Sequence, residues 1–357
     1  MKLRRKKMRR RSLKDRRNRK IDCNLIPVNR SGCPTGGRCF LMPKVTKKSV
    51  NKTKEIDGIT RITYPRQWIY ISCVSASLAS RRTSMFVKLE PGDKFLGELP
   101  FIRDEVQYNL LHLITEQEGS YCVRTEDGKV LFAQTPGYNG WLWIARDVPA
   151  DQEKGLLEEL VHQLGSHPLP GISAAPHAAY HFASVYSRSN DFRYFTKMAM
   201  ESYACPALHR PHLVKGSAGM ATLGDVDTIA EFLSGFEQEA FGRTVEAESQ
   251  IEAASGLVKK GGLYVWRLDG EIVSMANIAH RAPRHGRINA VFTPIKQRRK
   301  GYAGAVVAAV SEQLLAEGLT PMLYADLSNP ASNKAYRTIG FVPAGQISEM
   351  TFSPNSA

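Results

Sequence analysis

Two β-leaning runs, Leu263–Leu268 and Glu271–Ala279, flank the dipeptide Asp269-Gly270. Asp-Gly accepts the positive φ of a tight turn, so the pair reads as an antiparallel hairpin. A third run, Arg287–Thr293, is followed by the long apolar helix pattern Gly301–Glu317 and then a fourth run, Pro321–Leu327. A strand, a crossover helix and another strand require parallel pairing. Antiparallel strands followed by a parallel crossover define a mixed α/β sheet and exclude a helix bundle or an all-β sandwich.

The rest of the chain extends that sheet on both sides. Upstream, Met220 opens a short strand, Asp225 or Asp227 marks a helix start, and Val245–Val258 reads as a second helix. Downstream, Pro330–Ile339 predicts a short helix and Phe341–Phe352 one or two closing strands. Residues 101–200 show a weaker echo. Phe101–Glu116 has helical spacing, Tyr121–Arg124 and Lys129–Gln134 flank a second Asp-Gly, and Trp141–Ala145 reads as a strand. A helix from Pro149 to Leu164, another from Pro176 and a strand near Phe195–Met200 follow. Cys205-Pro-Ala-Leu-His-Arg-Pro-His is the expected linker. The expected organisation is therefore a leader (1–84), a smaller α/β unit (85–210) and a second α/β domain (215–357).

Charge isolates the leader. The chain of 357 residues carries a net charge of +15, but residues 1–84 hold 24 Lys and Arg against 4 Asp and Glu. The remaining residues hold 25 basic against 30 acidic side chains. The surplus that would suggest nucleic acid is thus confined to the leader, whose like-charge block repels itself and is expected to be disordered. Three readings of the leader stand open: a basic arm for RNA or DNA, a solvated tail, or a reading frame begun upstream of Met85. For the acidic body, nucleic acid is not the expected partner. Trp68–Ala79 is too short to span a bilayer, and no membrane segment is expected. Six cysteines form no C-x-x-C pair, so no metal is expected, and Cys122 and Cys205 of the body suit a reducing cytoplasm.

The seam between the third strand and the long helix, V-F-T-P-I-K-Q-R-R-K-G-Y-A-G-A, carries the chemistry. Gln297–Gly304 presents backbone N–H groups at a helix start, where orphan donors and the dipole favour an anion. Gly301 and Gly304 allow close approach, while Arg298, Arg299 and Lys300 add charge that is unfavourable at a helix N-terminus unless a strong anion sits among it. A solvated basic turn is the other reading of these residues. Neither the P-loop pattern nor G-x-G-x-x-G occurs.

This stretch, with L-Y-A-D-L-S-N-P-A-S-N-K-A-Y-R-T-I-G-F at 323–341, resembles the cofactor site of the GNAT superfamily of acyl-CoA-dependent N-acetyltransferases. Arg298, Gly301 and Ala303 fill that family's R/Q-x-x-G-x-G/A loop. Asn329, Tyr336 and Gly340-Phe341 fill its later element, at the family's spacing. The resemblance covers residues 215–357, and the preceding half is similar to a degenerate GNAT-like unit. It implies acetyl-CoA as acyl donor, a primary amine of a small molecule or protein as acceptor, and direct attack on the thioester. Val291, Phe292 and Thr293 would pair with the pantetheine arm; Arg298, Arg299, Lys300, Gly301, Tyr302, Ala303 and Gly304 would hold the pyrophosphate. Asn329 would bond the pantetheine, with Asn333 beside it in the cofactor set, and Tyr336 would protonate the departing thiolate.

The departure from the family is R-I-N-A-V-F-T, where many members carry a glutamate on this strand. Glu271, His280, His285 and Asp326 are the remaining candidates for a base, and none stands out. A non-catalytic acyl-CoA-binding sensor or scaffold is the alternative this motivates. The acceptor and the oligomeric state are not legible in the sequence.

Overall fold

The computed structural model describes Glu55–Ile56, Ile59–Thr60, residues 85–90 and residues 92–355. The chain divides into two compact units, Met1–Val74 and Ser75–Ala357. In the first, β1 (Glu55–Ile56) and β2 (Ile59–Thr60) form a short antiparallel pair. The charged leader otherwise lies outside the described residues.

The second unit is built on one twelve-stranded sheet. From one edge run β3 (Phe86–Lys88), β4 (Tyr121–Thr125), β5 (Val130–Gln134) and β6 (Gly140–Ile144), all antiparallel, then β7 (Gly171–Ala174) parallel to β6. From the other edge run β9 (Ser217–Met220), β10 (Leu263–Leu268), β11 (Glu271–Arg281) and β12 (His285–Phe292), again antiparallel, then β13 (Thr320–Asp326) parallel to β12. The two series meet through β8 (Phe192–Ala204) and β14 (Val342–Pro354).

Their placement is crossed. β8, which closes the earlier series in sequence, pairs with β13 of the later one; β14, which closes the later series, pairs with β7 of the earlier one. β8 and β14 pair with each other from Val342↔Ala204 to Pro354↔Phe192. Each half thus lends its last strand to the other, and neither sheet half is complete alone. β7 falls in the Pro/Gly-rich stretch that sequence reading passed over. A single four-residue run among prolines gives no period to read.

Seven helices cover the sheet among the described residues. α1 (Leu110–Glu116), α2 (Ala150–Leu164) and α3 (Pro176–Asn190) belong to the first series. α4 (Val226–Phe241), α5 (Ile251–Lys260), α6 (Tyr302–Ala316) and α7 (Pro330–Thr338) belong to the second. Two expected helices are shorter than their apolar spacing implies. Phe101–Glu116 is a 3-10 turn over Phe101–Asp104, then further turns, before α1 begins. Val245–Val258 begins as a 3-10 turn at Ala247–Gln250. The Asp269-Gly270 hairpin is as expected, with φ of 51° and 89° at its two turn residues.

The segment before α1 is pinned to the start of β12 by a buried carboxylate. Glu105 is 1% exposed and takes a two-toothed ion pair from Arg284, at 2.6 and 2.9 Å, and a 2.7 Å bond with His112. His285 Nδ1 lies 3.4 Å away. Burial alone would raise the Glu105 carboxyl, but the bonds with His112, His285 and Arg284 outweigh it and hold it well below the usual carboxylate range. Its stabilising contribution is therefore complete above the ordinary carboxylate pKa and lost as pH falls through the depressed folded value. Glu105→Gln leaves Arg284 partly buried without its anion. The expected loss, read by urea denaturation at neutral pH, is about 3 kcal/mol, with most of that difference gone in strong acid; an unchanged midpoint would refute this anchoring role.

Candidate active site

The central feature is where β12 and β13 part. Their last parallel pair is Ile288↔Leu323. Beyond it β12 continues to Phe292, held on its far side by β11 through Asn277↔Asn289 and Met275↔Phe292. β13 continues to Asp326, held on its far side by β8 through Tyr324↔Ser202 and Asp326↔Met200. The two inner edges face each other without pairing, which leaves a wedge lined by backbone donors and acceptors.

A bulge sharpens this opening. Between Asn289 and Phe292 β12 has one residue more than β11 has between Asn277 and Met275. The extra residue is accommodated by Ala290 at φ 47°, a left-handed conformation that costs a residue with a Cβ about 1–2 kcal/mol. The bulge also flips the strand. Ile288 packs in the core beneath α6, whereas Ala290 and Phe292 pack on the opposite face with Ile229, Phe232 and Leu233 of α4. A strained residue held by packing on both sides is the kind of feature that re-aims a backbone N–H beside a reacting group.

Past Phe292 the chain makes a 3-10 turn at Ile295–Gln297 and enters α6. Arg299 and Gly301 both have positive φ, 64° and 89°. Gly301 is the residue before the helix and no side chain caps it. The first i→i−4 bond is Ala305 N–H to Gly301 C=O at 3.0 Å, so the N–H groups of Tyr302, Ala303 and Gly304 precede the helical ladder. Arg298, Arg299, Lys300 and Gly301 are exposed around them. Arg298 donates to the Thr293 carbonyl at 2.9 Å and pairs with Glu239 of α4, and Lys300 bonds the Gln297 amide oxygen at 2.8 Å. Arg299 has no partner among the described residues. Thr293 Oγ1 lies 2.8 Å from Ser274 Oγ, which also bonds the Phe292 carbonyl. The Tyr302 ring is buried, so only its backbone serves the turn. Val291 is partly buried against the core beneath α6.

Asn329 caps α7, its Oδ1 accepting from Ser332 N–H at 3.1 Å. Asn333 is 3% exposed, and both its amide hydrogens are spent on the Asp326 and Asn329 carbonyls at 2.7 Å, while its oxygen accepts from Tyr203 at 2.8 Å. It clasps α7 to the end of β13 and has no donor left for a ligand. Tyr336 lies in the cluster formed by Leu323 and Ala325 of β13, Val306 and Val307 of α6 and Phe341. Its hydroxyl has no hydrogen-bond partner among the described residues, and burial pushes the phenol up to about 12. The Gly340-Phe341 pair has a plain packing cause: Gly340 has φ 103° against the Ala207 carbonyl, which lets Phe341 turn under Tyr336.

The candidate bases are placed away from a common centre. His280 bonds Glu116 at 3.0 Å and sits opposite Arg287, one pair before the wedge opens, while His285 neighbours Glu105 at the start of β12. Glu271 is exposed at the hairpin turn, and Asp326 accepts from Ser328 N–H at 2.7 Å. What sequence reading missed is the carboxamide pair beside the bulge: buried Asn277 donates to Oδ1 of exposed Asn289 at 2.9 Å, leaving the Asn289 NH2 without a partner among the described residues. Register alone brings these two together, so no local pattern announces them.

One group among the described residues could hold a metal. Glu153, His177 and His181 converge on α2 and α3, with Glu153 Oε1 3.3 and 3.4 Å from the two Nδ1 atoms. It lies on helices of the first series and contributes nothing to the wedge. In that series the turn from β6 into α2 reads Ala-Arg-Asp-Val-Pro, with no glycine and no cluster of basic residues.

Residues 265–348 match the family model described as FR47-like protein. Among solved structures, a Drosophila protein aligns over 76% of this chain and 100% of its own at 11% identity and a TM-score of 0.54. A GNAT-family acetyltransferase from Colwellia psychrerythraea aligns over 75% and 99% at 13% identity and 0.49. A GCN5-related N-acetyltransferase from Kribbella flavida aligns over 71% and 96% at 14% identity and 0.47. A comparison with curated proteins returns no match. The second unit thus shares a mixed α/β fold with the Drosophila protein, and its segment from β10 into β14 is similar to the FR47-like family. Among the described residues no helix is long and apolar enough to cross a membrane.

Gly301→Val tests the turn. A Cβ there meets Val214 Cγ2 at 3.0 Å, on a backbone that side chains avoid. Calorimetric melting should show a loss of about 1–2 kcal/mol; a variant as stable as the parent would mean the turn does not need this conformation.

Proposed function

We propose that this chain transfers an acetyl group from acetyl-CoA to a primary amine. The observation that carries the reading is the parting of β12 and β13 beyond Ile288 and Leu323, next to an uncapped helix start rich in exposed cations. An amide-bearing pantetheine arm has the donors and acceptors to pair with the free edge at Val291–Thr293, as an added strand would. The pyrophosphate would rest on the N–H groups of Gly301–Gly304 with Arg299 and Lys300 beside it, and Arg298 held by Glu239 would frame the turn. Asn329 retains its NH2 for the pantetheine.

Chemistry needs three things of the residues. The neutral amine attacks the thioester carbon, and the oxygen that becomes negative needs a donor. The N–H groups turned by the Ala290 bulge are the candidates. The C–S bond then breaks, and the thiolate takes the Tyr336 phenol proton. The amine's surplus proton leaves to water, because the carboxylates of the segment covering this face, Glu105 and Glu116, are already bound to Arg284 and His280. The cytoplasm suits Cys122 and Cys205, which are buried free thiols. The earlier series, as a degenerate unit with no comparable turn, would serve as scaffold, with 85–210 and 215–357 as the two halves.

Tyr336→Phe should lower kcat by about 100-fold or more, while the acetyl-CoA affinity measured by calorimetry stays within a factor of about two. Equal kcat in the variant removes Tyr336 from the mechanism. Since burial raises the phenol from 10 to about 12, it keeps its proton throughout the neutral range. The pH–rate profile should therefore show no falling limb below pH 10, and a fall near pH 8 would point to another acid. Acetyl-CoA binding without thiol release against any amine would favour the second reading, an acyl-CoA-binding sensor, which the missing carboxylate supports.

A further inference from the structure

Most arginines of the later series are ion-paired, Arg243 with Glu237 among them. Arg267 holds Asp225, Arg281 holds Glu317, Arg284 holds Glu105 and Arg298 holds Glu239. Arg287 is different. It has no ion pair and no hydrogen bond among the described residues, and its Nε is shut off from solvent without a partner. The residue as a whole is half-buried: its inner nitrogen is shielded while the terminal nitrogens of the fork reach the surface, where an anion would supply the missing acceptor.

That position is the base of the wedge. Arg287 precedes Ile288, the last residue of β12 paired with β13. Ile288 faces the core beneath α6, so Arg287 and Asn289 project from the opposite face, the one on which Asn277 bonds Asn289. Farther along this face α4 covers Ala290 and Phe292; behind Arg287 the segment Glu105–Glu116 covers His285 and His280. Arg287 therefore stands between two coverings, beside the bulge. Its neighbour Tyr324 is already committed, its hydroxyl donating to the Gln107 carbonyl at 3.1 Å and accepting from Leu110 N–H at 3.3 Å. Asn109, in the same overlying turn, is fully buried with neither amide atom bonded. Two polar side chains without partners thus flank Tyr324. At about 3.3 Å per residue, Arg287 is about 10 Å along the strand from Ala290, a gap closed by the reach of its own side chain and a small molecule.

We propose that Arg287 binds a carboxylate on the acceptor, and that the acceptor is a small amino acid whose amine is thereby presented to the thioester. The planar fork of donors matches a carboxylate with two parallel bonds, and the Asn289 NH2 adds a donor on the same face. Two of the acidic side chains of α4 are already neutralised, Glu239 by Arg298 and Glu237 by Arg243. This inference rests on the acetyl-transfer reading above, and its test separates the two.

Acetyl-CoA affinity is first measured by calorimetry on the full chain, for the parent, Arg287→Gln and Arg287→Lys. Thiol release is then followed with glycine, L-phenylalanine and L-glutamine, each against its own carboxamide. At least one acid should exceed its amide by about 100-fold in kcat/KM. Arg287→Gln should erase that preference with acetyl-CoA affinity changed less than about twofold, and Arg287→Lys should restore it in part. Amides used as well as acids, or a preference that survives in Arg287→Gln, overturns the proposal. If acetyl-CoA does not bind at all, the acetyl-transfer reading fails, and the melting midpoint decides about the site alone. A rise with millimolar amino acid in the parent but not in Arg287→Gln keeps the carboxylate site, and no rise in either rejects it.

Discussion

The structure depends on a place where backbone pairing stops. A parallel pair that continued past Ile288 and Leu323 would satisfy every inner N–H and C=O of β12 and β13 and leave nothing to bind. Instead each strand is held only from outside, β12 by β11 and β13 by β8. Unpaired strand edges expose donors and acceptors that need a partner, whether water or ligand. The bulge at Ala290, the clasp of Asn333 on the end of β13 and the packing of Tyr336 against Leu323 and Ala325 all serve to hold the two edges apart.

Holding them apart requires support from elsewhere in the chain. β8 braces β13 from the side away from the wedge, and it comes from the series of strands that precedes the motif-bearing one. The return contribution, β14 beside β7, completes the earlier series in the same way. This exchange gives the earlier half a reason to persist without a glycine turn or a cation cluster of its own: it furnishes the strand that pairs with the outer edge of β13. The Glu105 anchor acts at the opposite end of β12, so the strand that carries Arg287, Asn289 and Ala290 is fixed at both ends.

Much of this was legible in local pattern. Asp269-Gly270 marked its hairpin because two positive φ angles are needed there, and Gly301 marked the helix entry for the same reason. Tyr336 and Gly340-Phe341 were readable by spacing, and their packing explains that spacing. What escaped reading is set by register or by distance along the chain. Asn277 and Asn289 meet only because β11 and β12 pair as they do, and the Ala290 bulge has no marker residue, alanine being an unusual choice for a left-handed φ. That Arg287 has no ion pair among the described residues is likewise visible only in the folded chain. Asn333 resembled a ligand residue by position in its motif, yet it is consumed by three internal bonds. The strand exchange and β7, a four-residue run among prolines, are non-local facts that no window of sequence contains.

The central claim is that acetyl-CoA lies in the wedge with its pyrophosphate on the start of α6. Amide hydrogen exchange, followed residue by residue with and without acetyl-CoA, tests it most directly. The account expects slowed exchange at Val291 and at Tyr302, Ala303 and Gly304, with the remote edge β3–β4 unchanged. Protection confined to another part of the sheet, or none at saturating acetyl-CoA, would contradict it.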